Sequence, residues 1–419
     1  MTQPEATEVS LLSAFPSGAP LALLVIGVST VLAILGAVLA APNSLTYDEP
    51  MYLATVGQLR NNGFGVEFLT GMKVHAGPLY AIVHLLAQPW TGLQAPGVRI
   101  VNPMLLAGSV CALGFALAVR GAERPLLSAL GVVSIPMVVT TSGLALTEIP
   151  AVFFASLALA LLLAVMDRPF GAYAAGLAVL GGTSLGLAIA GRQPLILTIL
   201  PLPLLIVGNG ARARLVAVFG ASAIVLPTLI FGVWGGPTPP AVAGTIMLAP
   251  VHALLGGAYA LFALAIIAPR VVVYRPFVLA AALGGGIAVN WFAGVARLLP
   301  LATATAMTAP RALLDVGSRI MGGALIGLGV VFLAAMVRHM RRNSQDGVTL
   351  YLCASAVALV VSSAFVGHQF SSRYLVPAVP FLIALDRGRD GADWFRSARL
   401  LAGSVVGLIS LATYLFGAK

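Results

Sequence analysis

Charge is scarce in this sequence: Asp, Glu, Lys and Arg together make up 9% of its 419 residues, against roughly a quarter in a soluble domain. That shortage excludes an ordinary water-soluble enzyme. Cysteine is nearly absent, and Cys111 and Cys353 both sit inside apolar runs, so neither a disulfide framework nor a zinc site is encoded. The chain also lacks a phosphate-cradling glycine loop, a dinucleotide fingerprint and any metal-ligand spacing around its histidines, which argues against nucleotide-driven chemistry. No stretch between the apolar runs is long enough for a separate soluble domain. Any chemistry must therefore sit on membrane helices and the loops that join them.

What the sequence does have is apolar length: 59% of its residues are hydrophobic and the mean hydropathy is +1.02. Thirteen apolar segments lie near 19–40, 99–119, 126–142, 149–166, 172–190, 193–207, 215–233, 243–268, 277–292, 318–336, 348–366, 374–385 and 400–417. Most approach the ~20 residues that cross a bilayer as a helix, so the expectation is an all-α polytopic membrane protein of about thirteen spans. Residues 1–18 are polar and mildly acidic with no basic region, which suits a cytoplasmic tail before a retained first helix. With that tail inside, the inward connections carry fourteen of the 23 basic residues, among them Arg120, Arg124, Arg212, Arg341, Arg342 and Arg399. Basic residues concentrate on the cytoplasmic side of membrane proteins. This sets the expected orientation, with one transmembrane module over 19–233 and a second over 234–419. The 46 glycines fall mostly within the apolar runs, where they suit close helix packing.

The opposite side keeps one long connection, 41–98, and a second near 293–317. In the first, Leu53, Val56 and Leu59 follow the acidic pair Asp48-Glu49 at helical spacing, and Pro78 to Pro89 forms another apolar stretch. Two helices lying along the interface are expected, forming a shelf under the outer opening of the bundle. Asp48 and Glu49 come directly after the first span, and Glu148 opens a later one on the same side. Each is suited to cap a helix: Thr46 or Asp48 for the first interfacial helix, Thr147 and Glu148 for the span. Acids at a bilayer edge are also suited to general-base work. Arg373 and Arg192, at outer helix ends, read either as phosphate clamps or as snorkelling residues. Tyr47, Lys73, His75, Tyr80, Arg99, Asn102, His368 and Tyr374 are placed to line a polar pocket there. A divalent ion between Asp48 and Glu148 is left open and not indicated.

This order resembles the lipid-phosphate-dependent glycosyltransferases of the GT-C superfamily, and most of all the branch of protein O-mannosyltransferases and aminoarabinose lipid A transferases. The matching pieces are Tyr47-Asp48-Glu49-Pro50-Met51-Tyr52, Lys73-Val74-His75-Ala76-Gly77-Pro78-Leu79-Tyr80, Arg99-Ile100-Val101-Asn102, Leu146-Thr147-Glu148 and Arg373-Tyr374-Leu375-Val376-Pro377. The likeness covers the first 200 residues well and the rest mainly as topology. It implies a polyprenyl-phosphate sugar donor, a lipid, glycan or protein acceptor, and a site facing the outside of a bacterial inner membrane. It further implies Asp48 as the base, Glu49 and Glu148 as sugar- or acceptor-binding acids, and Arg373 as partner of the leaving phosphate. Two departures stand out: His75-Ala76-Gly77-Pro78 replaces a Lys-Pro-Pro run, and Glu148 stands where many relatives carry Asp. A transporter or flippase of a lipid-linked sugar or small solute is the competing reading, although no internal repeat supports alternating access.

Overall fold

In a computed structural model, described over residues 19–243, 248–272, 275–296, 311–367, 369–386 and 394–417, all thirteen apolar segments contain helix but differ in kind. Ten of the described helices are long and apolar enough to cross a membrane. The other three segments explain the difference from thirteen spans. Residues 126–142 form a pair bent by 76°, because Pro136 lacks an N–H and forces Ile135 into an extended conformation (φ −86, ψ 116). The segment at 193–207 folds as short 3-10 turns and that at 374–385 as a 3-10 turn followed by a five-residue α-helix, with Pro194, Pro201, Pro203, Pro377 and Pro380 interrupting them.

In chain order the first span is α1 (Ala19–Ala40). The long connection 41–96 then holds α2 (Glu49–Asn62), α3 (Val66–Gly71), α4 (Leu79–Leu86) and α5 (Gln88–Thr91). Then come α6 (Gly97–Val119), the bent pair α7 (Pro125–Leu130) and α8 (Pro136–Ser142), and the spans α9 (Glu148–Val165), α10 (Ala172–Gly191) and α11 (Ala213–Trp234). The rest comprises α12 (Pro250–Ile267), the short α13 (Pro269–Val272), α14 (Pro276–Ala293), α15 (Arg311–Arg342), α16 (Gly347–Ser362), the short α17 (Val379–Ile383) and α18 (Trp394–Phe416).

The main apolar core joins α6, α9, α10, α12, α16 and α17. A second core lies under this connection, where Tyr52, Val56 and Leu59 of α2, Phe68 and Leu69 of α3 and Tyr80 of α4 pack on Ile34, Trp234, Leu411 and Leu415. The Trp234 indole N–H donates to the Leu69 carbonyl at 2.9 Å. The expected shelf is therefore fastened to the bundle. Its first helix buries Glu49, Tyr52, Thr55, Val56 and Leu59, one helical stripe, so the register that buries the apolar residues also buries the second acid of the pair.

Close packing at glycine is evident where α14 meets α15. A Cβ on Gly286 would lie 2.3 Å from the Gly323 carbonyl oxygen, and one on Gly327 would lie 2.2 Å from that of Ala282.

Candidate active site at the mouth of an apolar groove

Two buried acids organise this end of the bundle. Glu49 is fully buried and all its acceptor capacity is used: Oε1 accepts from Arg99 Nε and the Ala145 N–H, both at 2.8 Å, and Oε2 accepts from Arg99 Nη2 at 2.6 Å and the Thr46 N–H at 2.8 Å. Arg99, itself 1% exposed, also donates to the carbonyls of Pro42 and Ser44. Asn102, one turn along α6 from Arg99, donates to the carbonyls of Leu144 and Leu146 at 2.6 and 3.0 Å. Together these contacts fix residues 42–46 and 144–146, the segments that lead directly into Asp48 and Glu148. Neither of those acids caps a helix through its side chain: Asp48 is at the N-cap of α2 and Thr147 at that of α9, with no side-chain cap bond at either.

Freed from capping, Asp48 places Oδ2 at 2.7 Å from Arg373 Nη1. Glu148, fully buried, accepts from Arg192 Nη2 through Oε1, and the same oxygen lies 3.9 Å from Arg373 Nε. Two acids and two arginines thus form one chain of ion contacts, Asp48–Arg373–Glu148–Arg192. Several of its polar atoms lack a hydrogen bond. Glu148 Oε2 and Thr147 Oγ1 are buried with none, and Arg373 Nε and Nη1 have no acceptor in hydrogen-bond alignment. Buried polar groups are normally satisfied, so this cluster has donors and an acceptor available for a polar ligand.

Aromatic rings flank the arginines. The Tyr374 ring lies 5.4 Å from the Arg373 guanidinium and 5.9 Å from that of Arg192, and the Tyr47 ring lies 5.0 Å from Arg373 and 5.4 Å from Tyr414. Tyr47 has φ +55, a left-handed conformation uncommon for a side chain of its size. Burial, offset only in part by Arg373, pushes its hydroxyl up to about 12, so at neutral pH the phenol remains a proton donor.

From Tyr47 and Arg373 a groove of about 620 Å³ runs down the bundle between α8, α12 and α18 to Arg399. Its walls are mostly apolar, with Pro136, Ala263, Phe262 and Val406 among them. Along α18 the lining extends from Arg399 to Tyr414, about 22 Å of helix.

The other expected site residues are placed as follows. Tyr80 is buried against Tyr52 and His84, with its hydroxyl unpartnered. Lys73 and His75 are exposed, and the His75 carbonyl accepts from Gln193 beside Arg192. His368 lies outside the described residues. The sequence reading passed over Tyr52, whose hydroxyl is influenced electrostatically by Glu148, Arg192, Arg373 and Asp48; its position one helical turn after Asp48 was the available signal. Tyr414 and Arg399 carry no local signal at all. Among the described residues no group of three His, Cys, Asp or Glu side chains gathers to hold a metal ion, and the carboxylates of Asp48 and Glu148 already face guanidinium groups.

Comparison with known proteins follows the same lines. Residues 84–213 match the model of the dolichyl-phosphate-mannose-protein mannosyltransferase family. That segment holds Arg99, Asn102, Glu148 and Arg192. No curated protein matches the chain in sequence. Among solved structures, the apo oligosaccharyltransferase of Archaeoglobus fulgidus superposes with a TM-score of 0.51 at 15% identity, over 95% of this chain and 56% of that one. ArnT from Cupriavidus metallidurans bound to undecaprenyl phosphate gives a TM-score of 0.48 at 16% identity, over 96% of this chain and 77% of that one. The chain is thus an all-α polytopic membrane protein of GT-C fold, similar over residues 84–213 to the dolichyl-phosphate-mannose-protein mannosyltransferases.

Proposed function

We propose that the chain is a membrane glycosyltransferase that moves a sugar from a polyprenyl-phosphate donor to an acceptor hydroxyl. The observation that carries this reading is the position of the Asp48–Arg373–Glu148–Arg192 cluster at one end of a long apolar groove. An isoprenoid tail fits the groove, and its phosphate then falls at Arg373, whose planar fork of donors suits phosphate oxygens. Asp48, beside Arg373 and 27% exposed, takes the acceptor proton. As the acceptor oxygen bonds to the anomeric carbon, the bond from that carbon to the phosphate oxygen breaks, and its electron pair leaves with the phosphate against Arg373. One displacement with one base gives inversion. Glu148 Oε2 and Thr147 Oγ1 are available to sugar hydroxyls.

Asp48, the base, and Arg373, the phosphate clamp, neutralise each other across their 2.7 Å contact. The phosphodiester anion of the donor competes for Arg373 and releases Asp48, so donor binding itself prepares the base. Glu49, with every acceptor position filled, acts as a positioning residue. The clustering of arginines at the other end of the bundle supports, by the positive-inside rule, a site on the extracytoplasmic face of a bacterial inner membrane.

The test is transfer from a panel of polyprenyl-phosphate pentoses and hexoses by protein in lipid nanodiscs. Asp48→Asn is expected to lose transfer by about 10²–10⁴-fold while still binding undecaprenyl phosphate. Arg373→Gln is expected to weaken that binding by roughly 10- to 100-fold. Unchanged transfer by Asp48→Asn would remove the assigned base.

A further inference from the structure

At the opposite end of the bundle a second concavity has a different construction. α15 (Arg311–Arg342) has 32 residues, about 48 Å at 1.5 Å per residue and longer than the ~30 Å of hydrocarbon it crosses. On its outward side Val330, Leu333, Ala334, Val337, Arg338 and Arg341 follow at helical spacing, and with Arg342 they line a furrow of about 590 Å³. The half toward the middle of the membrane is aliphatic, with Val330 50% and Val337 43% exposed. The half toward the helix end consists of three arginines. Arg338 is anchored through Nη2 to the Val271 carbonyl at 3.4 Å.

Three described acids of this end pair with other arginines: Asp167 with Arg212 at 2.6 Å, Asp346 with Arg120 at 3.9 Å and Asp386 with Arg396 at 3.0 Å. None of the ion pairs among the described residues includes Arg341 or Arg342, and both are exposed. An aliphatic stripe on a membrane span, ending at headgroup depth in the guanidinium groups of Arg341 and Arg342, complements a molecule with acyl chains and a net negative phosphodiester. A zwitterionic lipid is a poorer match, since its own ammonium group opposes the arginines.

We propose that this furrow is a binding site for an anionic phospholipid, with its acyl chains along Val330, Leu333 and Val337 and its phosphate among Arg338, Arg341 and Arg342. The site is at the far end of the bundle from Asp48 and does not depend on the glycosyltransferase reading.

The experiment is native mass spectrometry of the full chain released from vesicles of phosphatidylcholine and phosphatidylglycerol in a 4:1 ratio, counting retained lipid of each kind. The wild type is expected to retain phosphatidylglycerol preferentially, and Arg341→Gln/Arg342→Gln to lose that preference by roughly tenfold or more. The control Arg168→Gln/Arg214→Gln removes the same charge from exposed positions at the same end and is expected to leave retention unchanged. Equal retention of the two lipids by the wild type would overturn the proposal. So would an equal loss in the two double variants, which would mean net charge and not this furrow attracts the lipid.

Discussion

At the residue scale, adjacent acids have separate tasks. Asp48 faces Arg373 at the mouth of the groove, whereas Glu49 is enclosed by Arg99 and two backbone N–H groups. Removing one partner of a buried ion pair leaves the other charge uncompensated and costs on the order of 3–5 kcal/mol. Glu49→Gln is therefore expected to lower the apparent melting temperature sharply in detergent or nanodiscs, while Asp48→Asn, at a partly exposed position, lowers it little. Equal effects would contradict the division of roles.

His84 supplies a pH prediction. It is fully buried with neither ring nitrogen hydrogen-bonded, and burial depresses its pKa to about 3, against 6.5 when exposed. The unfolded chain thus binds the proton first, so stability is fully present above about pH 6.5 and falls as pH drops toward 3, by about 1.4 kcal/mol per unit. His84→Phe should show a shallower acid-side decline in melting temperature than the wild type; an identical decline would assign the acid sensitivity to other groups. The sequence made Asp48, Glu148 and Arg373 legible as candidates because charge is so rare near these helix ends. It could not distinguish Asp48 from Glu49, since only the burial register of α2 does that.

At the scale of elements, the long connection after α1 is held to the bundle by a close backbone approach. Gly77 donates its N–H to the Gly191 carbonyl at 3.3 Å, and a Cβ at Gly77 would lie 2.0 Å from the Ala190 carbonyl oxygen. Arg192 follows directly, so this contact ties the 73–80 stretch to the arginine that holds Glu148. Gly77→Ala must push the two backbones apart, with an expected loss of about 1–3 kcal/mol and of transfer activity. Gly57→Ala, in the middle of α2 with open space around it, is expected to be neutral or stabilising by about 0.5–1 kcal/mol. Thermal scans of the two variants side by side check this, and a Gly77→Ala protein as stable and active as the wild type would contradict it. The interfacial helices were legible from apolar spacing, and His75-Ala76-Gly77-Pro78 was noted as a departure from the family pattern. That its glycine serves a backbone contact with α10 was not, because the partner lies more than 100 residues away.

At the scale of the whole molecule, composition alone specified a helical membrane protein, and all thirteen apolar segments contain helix. Which of them cross the bilayer as straight spans was not readable from hydropathy, since proline placement breaks 126–142 and shortens 193–207 and 374–385. The groove was invisible in the sequence for a different reason. Its walls come from residues near 47, 135–146, 259–266, 371–373 and 399–414, so no local window contains it. On the proposed mechanism this groove delivers a lipid phosphate to Arg373 and thereby frees Asp48. The most direct test is a density map of the protein in nanodiscs with undecaprenyl phosphate added. The account predicts an isoprenoid chain between α8, α12 and α18, its phosphate on Arg373, and the Asp48 carboxylate released from that arginine. A phosphate bound away from Arg373, or an Asp48–Arg373 contact unchanged beneath it, would contradict it.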